Sequence, residues 1–426
     1  MSGAPGAASG FRSEHDAGVE RTVLPNGLTV VSAQVPGVRS VALGAWVRTA
    51  SIHETPEQMG VSHMLEHLCF KGSARRSARE IAASLESLGG ALDAYTAREH
   101  TAFQARVLDE HLPQAADVLV DVMFRPRLRE EDLVLERKVV LEEISMVEDT
   151  PDDIVFELHN AAMWGDHPYG YSILGTRESV TSLGVDAVRA LHARAFVPRN
   201  VVVAAAGNVT HDRLIAALAT AGWADLPASP PAGSAAPAAA AHVPGFSRVA
   251  RESAQAHLVF GSATVPHSDP RRHALVLVDM LLGGGMSSRL FQRIREELAL
   301  AYSVYSFQQF SRDVGVHGIY AGTAPESAEQ TLDAVRSELA QLSTSGITAD
   351  ELALAKQQLK GQITLSMESV SSRMYRAAGV ELFGEPWLPL DDLLARVDSV
   401  TLDATRDVCT EFFAPDRQTV VHLGPQ

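Results

Sequence analysis

Cysteine is nearly absent from this chain. Only Cys69 and Cys409 occur in 426 residues, so no disulfide framework holds the fold. Aromatic residues are sparse at 6%, and no apolar run approaches the roughly 20 residues of a membrane-spanning helix. Lys and Arg number 36 against 52 Asp and Glu, a formal charge of −16. That balance argues against a nucleic-acid partner, which requires a basic surface. The first residues, Met1 to Asp16, are small and polar. They lack the basic start and apolar core of a secretory signal. The expectation is a cytoplasmic protein with no membrane and no nucleic-acid partner.

What remains is ordinary globular material, 46% hydrophobic and 21% charged, long enough for two or more domains with substantial cores. Within it stands Val61-Ser-His-Met-Leu-Glu-His-Leu-Cys-Phe-Lys71. His63 and His67 are four apart, which on a helix puts them on one face, one turn from each other. Two imidazoles so placed can reach one metal ion, and zinc is the usual occupant. Glu66 points towards the same ion without having to ligate it, as suits a general base acting on a water. The order His-x-x-Glu-His is the signature of the inverted zinc peptidases. Cys69 falls on a different helical face and is not read as a ligand.

A catalytic zinc takes three protein ligands and keeps one position open. Downstream, Glu136 to Asp149 reads as a helix dense in carboxylates. Glu136 and Glu143 lie two turns apart on one face, and Glu142 is the rival next door. Elsewhere, extended runs lie at Arg21–Val31, broken by Pro25-Asn26-Gly27, and at Val41–Val47 and Val201–Val209. Ala91–Phe103 alternates like a strand pair, and Arg79–Leu88 reads as a helix stopped by Gly89-Gly90. The expected division is 1–18 a flexible leader, 19–226 the catalytic zinc-binding domain, 227–245 a Pro/Ala-rich linker and 246–426 a homologous domain without metal. The halves look like diverged copies. Arg129–Ile144 aligns with Thr348–Ile363, with Leu133 on Leu352, which places Glu136 on Ala355 and Glu143 on Gln362. His63–His67 falls near Asp279–Gly283, so the second half keeps no metal ligand.

With these motifs the chain resembles the pitrilysin/insulinase (M16) family of zinc metallopeptidases, in its mitochondrial-processing-peptidase-like bacterial branch, from about Thr22 to the C-terminus. The resemblance implies an α+β fold of two homologous halves, each a mixed sheet with helices on one face, forming a clamshell around a chamber. It implies one Zn2+ per chain, with Glu143 completing the set begun by His63 and His67, and Glu136 supporting it. It implies a zinc endopeptidase acting on unstructured peptides or presequence-like segments, with Glu66 catalytic, and a homodimer. The alternative role in the family is a non-catalytic or partner-dependent subunit of a processing peptidase complex. Arg295 and Tyr302, in Gly283–Val304, occupy the positions at which the family contacts substrate. Asp93 stands where the family usually has Asn beside the substrate strand, and Leu298 and Ala299 replace its usual basic residue and Gly.

Overall fold

In the computed structural model the described residues are 11–12, 19–228 and 240–425. The expected leader therefore lies outside them apart from Phe11–Arg12, as does the middle of the expected linker, 229–239. The chain forms two compact units, each built on one mixed sheet.

The first sheet comprises β1 (Phe11–Arg12), β2 (Val19–Val23), β3 (Thr29–Gln34), β4 (Ser40–Val47), β5 (Ala91–Thr96), β6 (Thr101–Leu108) and β7 (Val201–Gly207). Its order is β1-β2-β3-β7-β4-β6-β5. The second comprises β8 (Gly245–Ala250), β9 (Ala256–Thr264), β10 (Ala301–Phe310), β11 (Gly315–Thr323) and β12 (Thr419–Gly424), in the order β10-β11-β9-β12-β8. In each sheet one pair is parallel, β3 with β7 inside the first and β8 with β12 at the edge of the second, and the rest are antiparallel. Strand for strand, β3-β7-β4-β6-β5 repeats as β8-β12-β9-β11-β10. The fold is thus α+β with two homologous halves, and neither sheet closes into a barrel.

Alternation along β4 explains why it reads as an unbroken apolar run. Val41, Leu43, Ala45 and Val47 enter the main core, while Ala42 and Trp46 point to the opposite face and are buried there too. That opposite face is covered by the helix Val370–Phe383, whose Val370, Met374, Ala377 and Ala378 pack on Ala42, Trp46, Ala204 and Ala206. In the second unit the helix Pro151–Trp164 does the same, with Val155 against Val259, Tyr320, Val421 and Leu423. The chain therefore passes between units at more places than the expected linker, and each sheet takes a helix from the other half of the sequence. Fully burying a Val or Met side chain contributes about 1.5–3 kcal/mol, so these helices are part of the cores they join. Among the described residues no helix is long and apolar enough to cross a membrane.

The repeat register holds on one helix and slides on the other. Leu133 and Glu136 are buried in the helix Glu130–Asp149, and their counterparts Leu352 and Ala355 are buried in Ala349–Ser366. In Arg272–Gly283 the buried Ala274, Leu275, Leu277 and Val278 match Val61, Ser62, Met64 and Leu65. This match is about one turn from the register read in sequence, and it sets Val276, Asp279 and Met280 opposite His63, Glu66 and His67. The ligands are missing on either register.

The block after Gly283 carries Arg295 and Tyr302 into the second sheet. It forms a π-helical stretch, Phe291–Glu297, followed by Ala299 at φ 51° and then β10. Left-handed backbone at a residue with a Cβ costs about 1–2 kcal/mol, and glycine escapes the cost at some loss of unfolded-chain entropy. Ala299→Gly should therefore raise the free energy of unfolding by about 0.5–1 kcal/mol, read from the urea midpoint. A lower midpoint would show that the Ala299 methyl stabilises more than its backbone strains.

Candidate metal centre

The helix Val61–Cys69 opens at Gly60, whose φ of 87° is left-handed. A Cβ there would lie 2.5 Å from the Leu174 carbonyl oxygen, so this entry demands glycine. No residue at the helix start caps it through a side chain. Glu54 does so from outside, accepting the Gly60 N–H on Oε2 and the Ser62 N–H on Oε1, both at 2.8 Å. Val61, Met64, Leu65 and Leu68 sink into the core. With that face committed, His63, Glu66 and His67 are left on the partly open side.

The helix Glu130–Asp149 approaches in the same way, burying Leu133, Val140 and Ile144. Its phase turns Glu136 and Glu143 towards the histidines and leaves Glu142 exposed. Glu143 Oε2 lies 3.8 Å from His63 Nε2 and 3.6 Å from His67 Nε2. One donor atom from each of His63, His67 and Glu143 falls within 4.8 Å of the other two, a group able to hold a metal ion. Glu136 stands behind: its Oε2 is 3.0 Å from His67 Nδ1, and its Oε1 is 2.7 Å from Lys71 Nζ.

Two observations bear on whether an ion fits. Glu143 Oε2 is buried and has no hydrogen-bond partner among the described residues. Leaving such an atom unpaired costs about 1–3 kcal/mol, and an ion among the three donors removes that cost. Secondly, burial and the neighbouring His67 hold the His63 imidazole down at about 4. It is neutral near pH 7, with a lone pair to give. Glu66 is not in the donor group. Burial pushes its carboxyl up, opposed by the Thr96 hydroxyl, which donates to Oε2 at 2.6 Å, and by His67.

The remaining expected residues are placed elsewhere. Asp93 is exposed on the edge strand β5, where Gln104 Nε2 donates to it at 3.3 Å and the Tyr375 hydroxyl donates to Gln104 Oε1. Arg295 and Tyr302 belong to the second unit. There the Arg295 guanidinium sits 4.4 Å from the Tyr302 ring centre and 4.7 Å from that of Phe291, and Nη1 donates to the Tyr302 carbonyl at 3.1 Å. Three residues went unread in the sequence: Glu54, Thr96 and Lys71. Lys71, four beyond His67, shares its helical side and was readable on that ground. Glu54 precedes the helix by too many residues for any capping pattern, and nothing local marks Thr96.

Fold and donor set together define the inverted-motif metallopeptidase class. Residues 29–177 match Insulinase (Peptidase family M16), and residues 182–359 match the Peptidase M16 inactive domain. An uncharacterized zinc protease of Streptomyces coelicolor is 40% identical over 424 residues, covering 97% of this chain and 92% of that protein. Another, from Bacillus subtilis, is 39% identical over 398 residues, covering 93% and 96%. A crystal structure of a peptidase M16 inactive domain from Pseudomonas fluorescens superposes with a TM-score of 0.89 at 22% identity, covering 96% of this chain and 98% of that one. A protease from Helicobacter pylori gives 0.88, also at 22%, covering 96% and 99%. The chain belongs to the insulinase family, peptidase family M16.

Two outcomes test this geometry. Glu143→Gln should lose bound metal while Glu142→Gln keeps it, as read by elemental analysis of the purified variants. Loss in Glu142→Gln alone would mean that the helix sits one residue out of phase. The second concerns Glu54, whose carboxyl burial pushes up to about 7 from 4.5, against hydrogen bonds from Ser62 and Gly60. A carboxyl raised on folding contributes stability that is complete below its unfolded value and is lost as pH rises through its folded value. Between pH 5 and 8 the wild type should therefore lose stability relative to Glu54→Gln, by about 2–3 kcal/mol. A difference that stays flat over this range would show Glu54 ionised throughout.

Proposed function

We infer that this chain is a zinc endopeptidase that hydrolyses unstructured peptides. The observation that carries the reading is the convergence of His63, His67 and Glu143 donor atoms within 4.8 Å. Glu66 stands on the same helix and outside that group. Zinc held by His63, His67 and Glu143 would polarise the scissile carbonyl and make water a nucleophile near neutral pH.

The chain's own residues supply the rest. Glu66 takes a proton from the attacking water and passes it to the leaving amine. Its burial favours the protonated form and so suits the second half of that task, while Thr96 fixes the oxygen it bonds. Glu136 orients His67 by accepting from Nδ1, which commits Nε2 to the metal side. Arg295 and Tyr302 are assigned to substrate, as donors to the peptide and to the developing oxyanion. This role rests on the family pattern, as do the enclosed chamber and the homodimer. Asp93, an acid on a free sheet edge, favours an amide N–H or a basic side chain in its neighbour.

The test is a digest of a mixed unstructured peptide pool, with zinc measured on the same sample. Wild type should carry about one zinc per chain, as a three-ligand site implies, and should cut internal bonds. Glu66→Gln should keep the zinc and lose activity by at least about 100- to 10,000-fold. Turnover surviving in Glu66→Gln would remove it as the base. A zinc-loaded wild type that cuts nothing would favour a partner-dependent subunit instead.

A further inference from the structure

Lys71 lies outside the ligand set, and nothing in the proposed chemistry uses it. It follows the histidine helix by two residues, and its N–H still bonds the Leu68 carbonyl at 3.2 Å, so the helical turn continues to it. Four residues after His67, its side chain rises on the same side and ends 2.7 Å from Glu136 Oε1. The other oxygen of that carboxylate is 3.0 Å from His67 Nδ1. The Glu136 side chain is only 6% exposed, so water does little to hold either oxygen in place. A three-member chain results: ammonium, buried carboxylate, imidazole.

The chain has a direction. A carboxylate only accepts, so the hydrogen on His67 must sit on Nδ1, and the Nε2 lone pair then faces Glu143 Oε2 at 3.6 Å. This works only while Glu136 keeps Oε2 turned to the imidazole, and a carboxylate rotates easily about its last bond. Lys71 stops that rotation by holding Oε1. His63 has no such support: its Nδ1 is buried and has no hydrogen-bond partner among the described residues. Of the two imidazoles, therefore, only that of His67 is oriented by a hydrogen bond among the described residues.

We propose that Lys71 is a positioning residue of the metal centre, which locks Glu136 and through it fixes the ring orientation of His67, so that zinc affinity depends on a side chain that never touches the ion. The proposal rests on the metallopeptidase reading but needs no substrate for its test. Residues behind metal ligands typically cost 10- to 100-fold in affinity when altered, and one acting through a further side chain belongs at the lower end.

The experiment is competition for Zn2+ between a chromophoric chelator and the metal-stripped full-length chain. Lys71→Met, which keeps the apolar stem, should raise the zinc Kd about tenfold. Lys71→Arg, which restores a donor to Oε1, should recover most of that loss. In a Glu136→Gln background Lys71→Met should change nothing further, because its only route is already cut. Metal-free melting temperatures control for folding, and Lys71→Leu, which also lacks a donor, replaces Lys71→Met if the latter is unstable. Wild-type affinity in Lys71→Met, or a full tenfold loss persisting beside Glu136→Gln, overturns the role of Lys71 while the zinc reading stands. A wild-type chain that takes up no zinc overturns both.

Discussion

The first unit is organised by the need to hold three polar atoms, on two helices far apart in sequence, at a few ångströms from one another inside a protein. Each of them would be better solvated in water, so nothing local draws them together. The cores do it. Met64, Leu65 and Leu68 anchor one helix, and Leu133, Val140 and Ile144 anchor the other, all in one apolar cluster. Burial worth about 1.5–3 kcal/mol per large side chain outweighs the about 1–3 kcal/mol of an unpaired buried acceptor. The site is preorganised because its cost is met by packing that does not depend on the ion.

This division of labour decides what could be read from the sequence. Spacing within a single helix was legible: His63 with His67, and Glu136 with Glu143, are fixed by helix geometry alone. Which of Glu142 and Glu143 turns inward was not, because spacing and composition serve both. Only the phase set by Leu133 and Val140 leaves Glu142 exposed. Thr96 bonds Glu66, and Glu54 caps Gly60 and Ser62, through contacts that exist only once strand and loop have folded against the helix. The same limit explains the slid register in the second half. Two amphipathic helices align about equally well one turn apart by residue type, whereas burial distinguishes the two alignments.

Helix placement was the other thing the sequence withheld. Nothing within Val370–Phe383 or Pro151–Trp164 says which sheet it will cover. The strands carried a clue. All seven residues of β7 are buried, and β4 is buried on both faces. A strand flanked by helices on one side only would show polar residues at alternate positions, so these runs required a second cover. The cover's origin in the other half of the chain lies beyond any local pattern.

The second half keeps the fold without the proposed ligands, and its burial pattern gives a physical reason. Where Glu136 is buried in the first unit, Ala355 is buried in the second. Glu136 tolerates burial because Lys71 and His67 each satisfy one of its oxygens. The counterpart of the His67 position on the burial register is Met280, which offers the carboxylate no hydrogen. A Glu at position 355 would then be a buried charge lacking that imidazole partner, a defect costing several kcal/mol. Alanine removes the defect and keeps the helix phase, since Leu352 still seats in the core as Leu133 does. Without an imidazole at the position of His67 the supporting acid is unfavourable, and without the acid that imidazole would lose the acceptor that orients it. His67, Glu136 and Lys71 stabilise one another, while the sheet order of each half rests on apolar contacts that none of them makes.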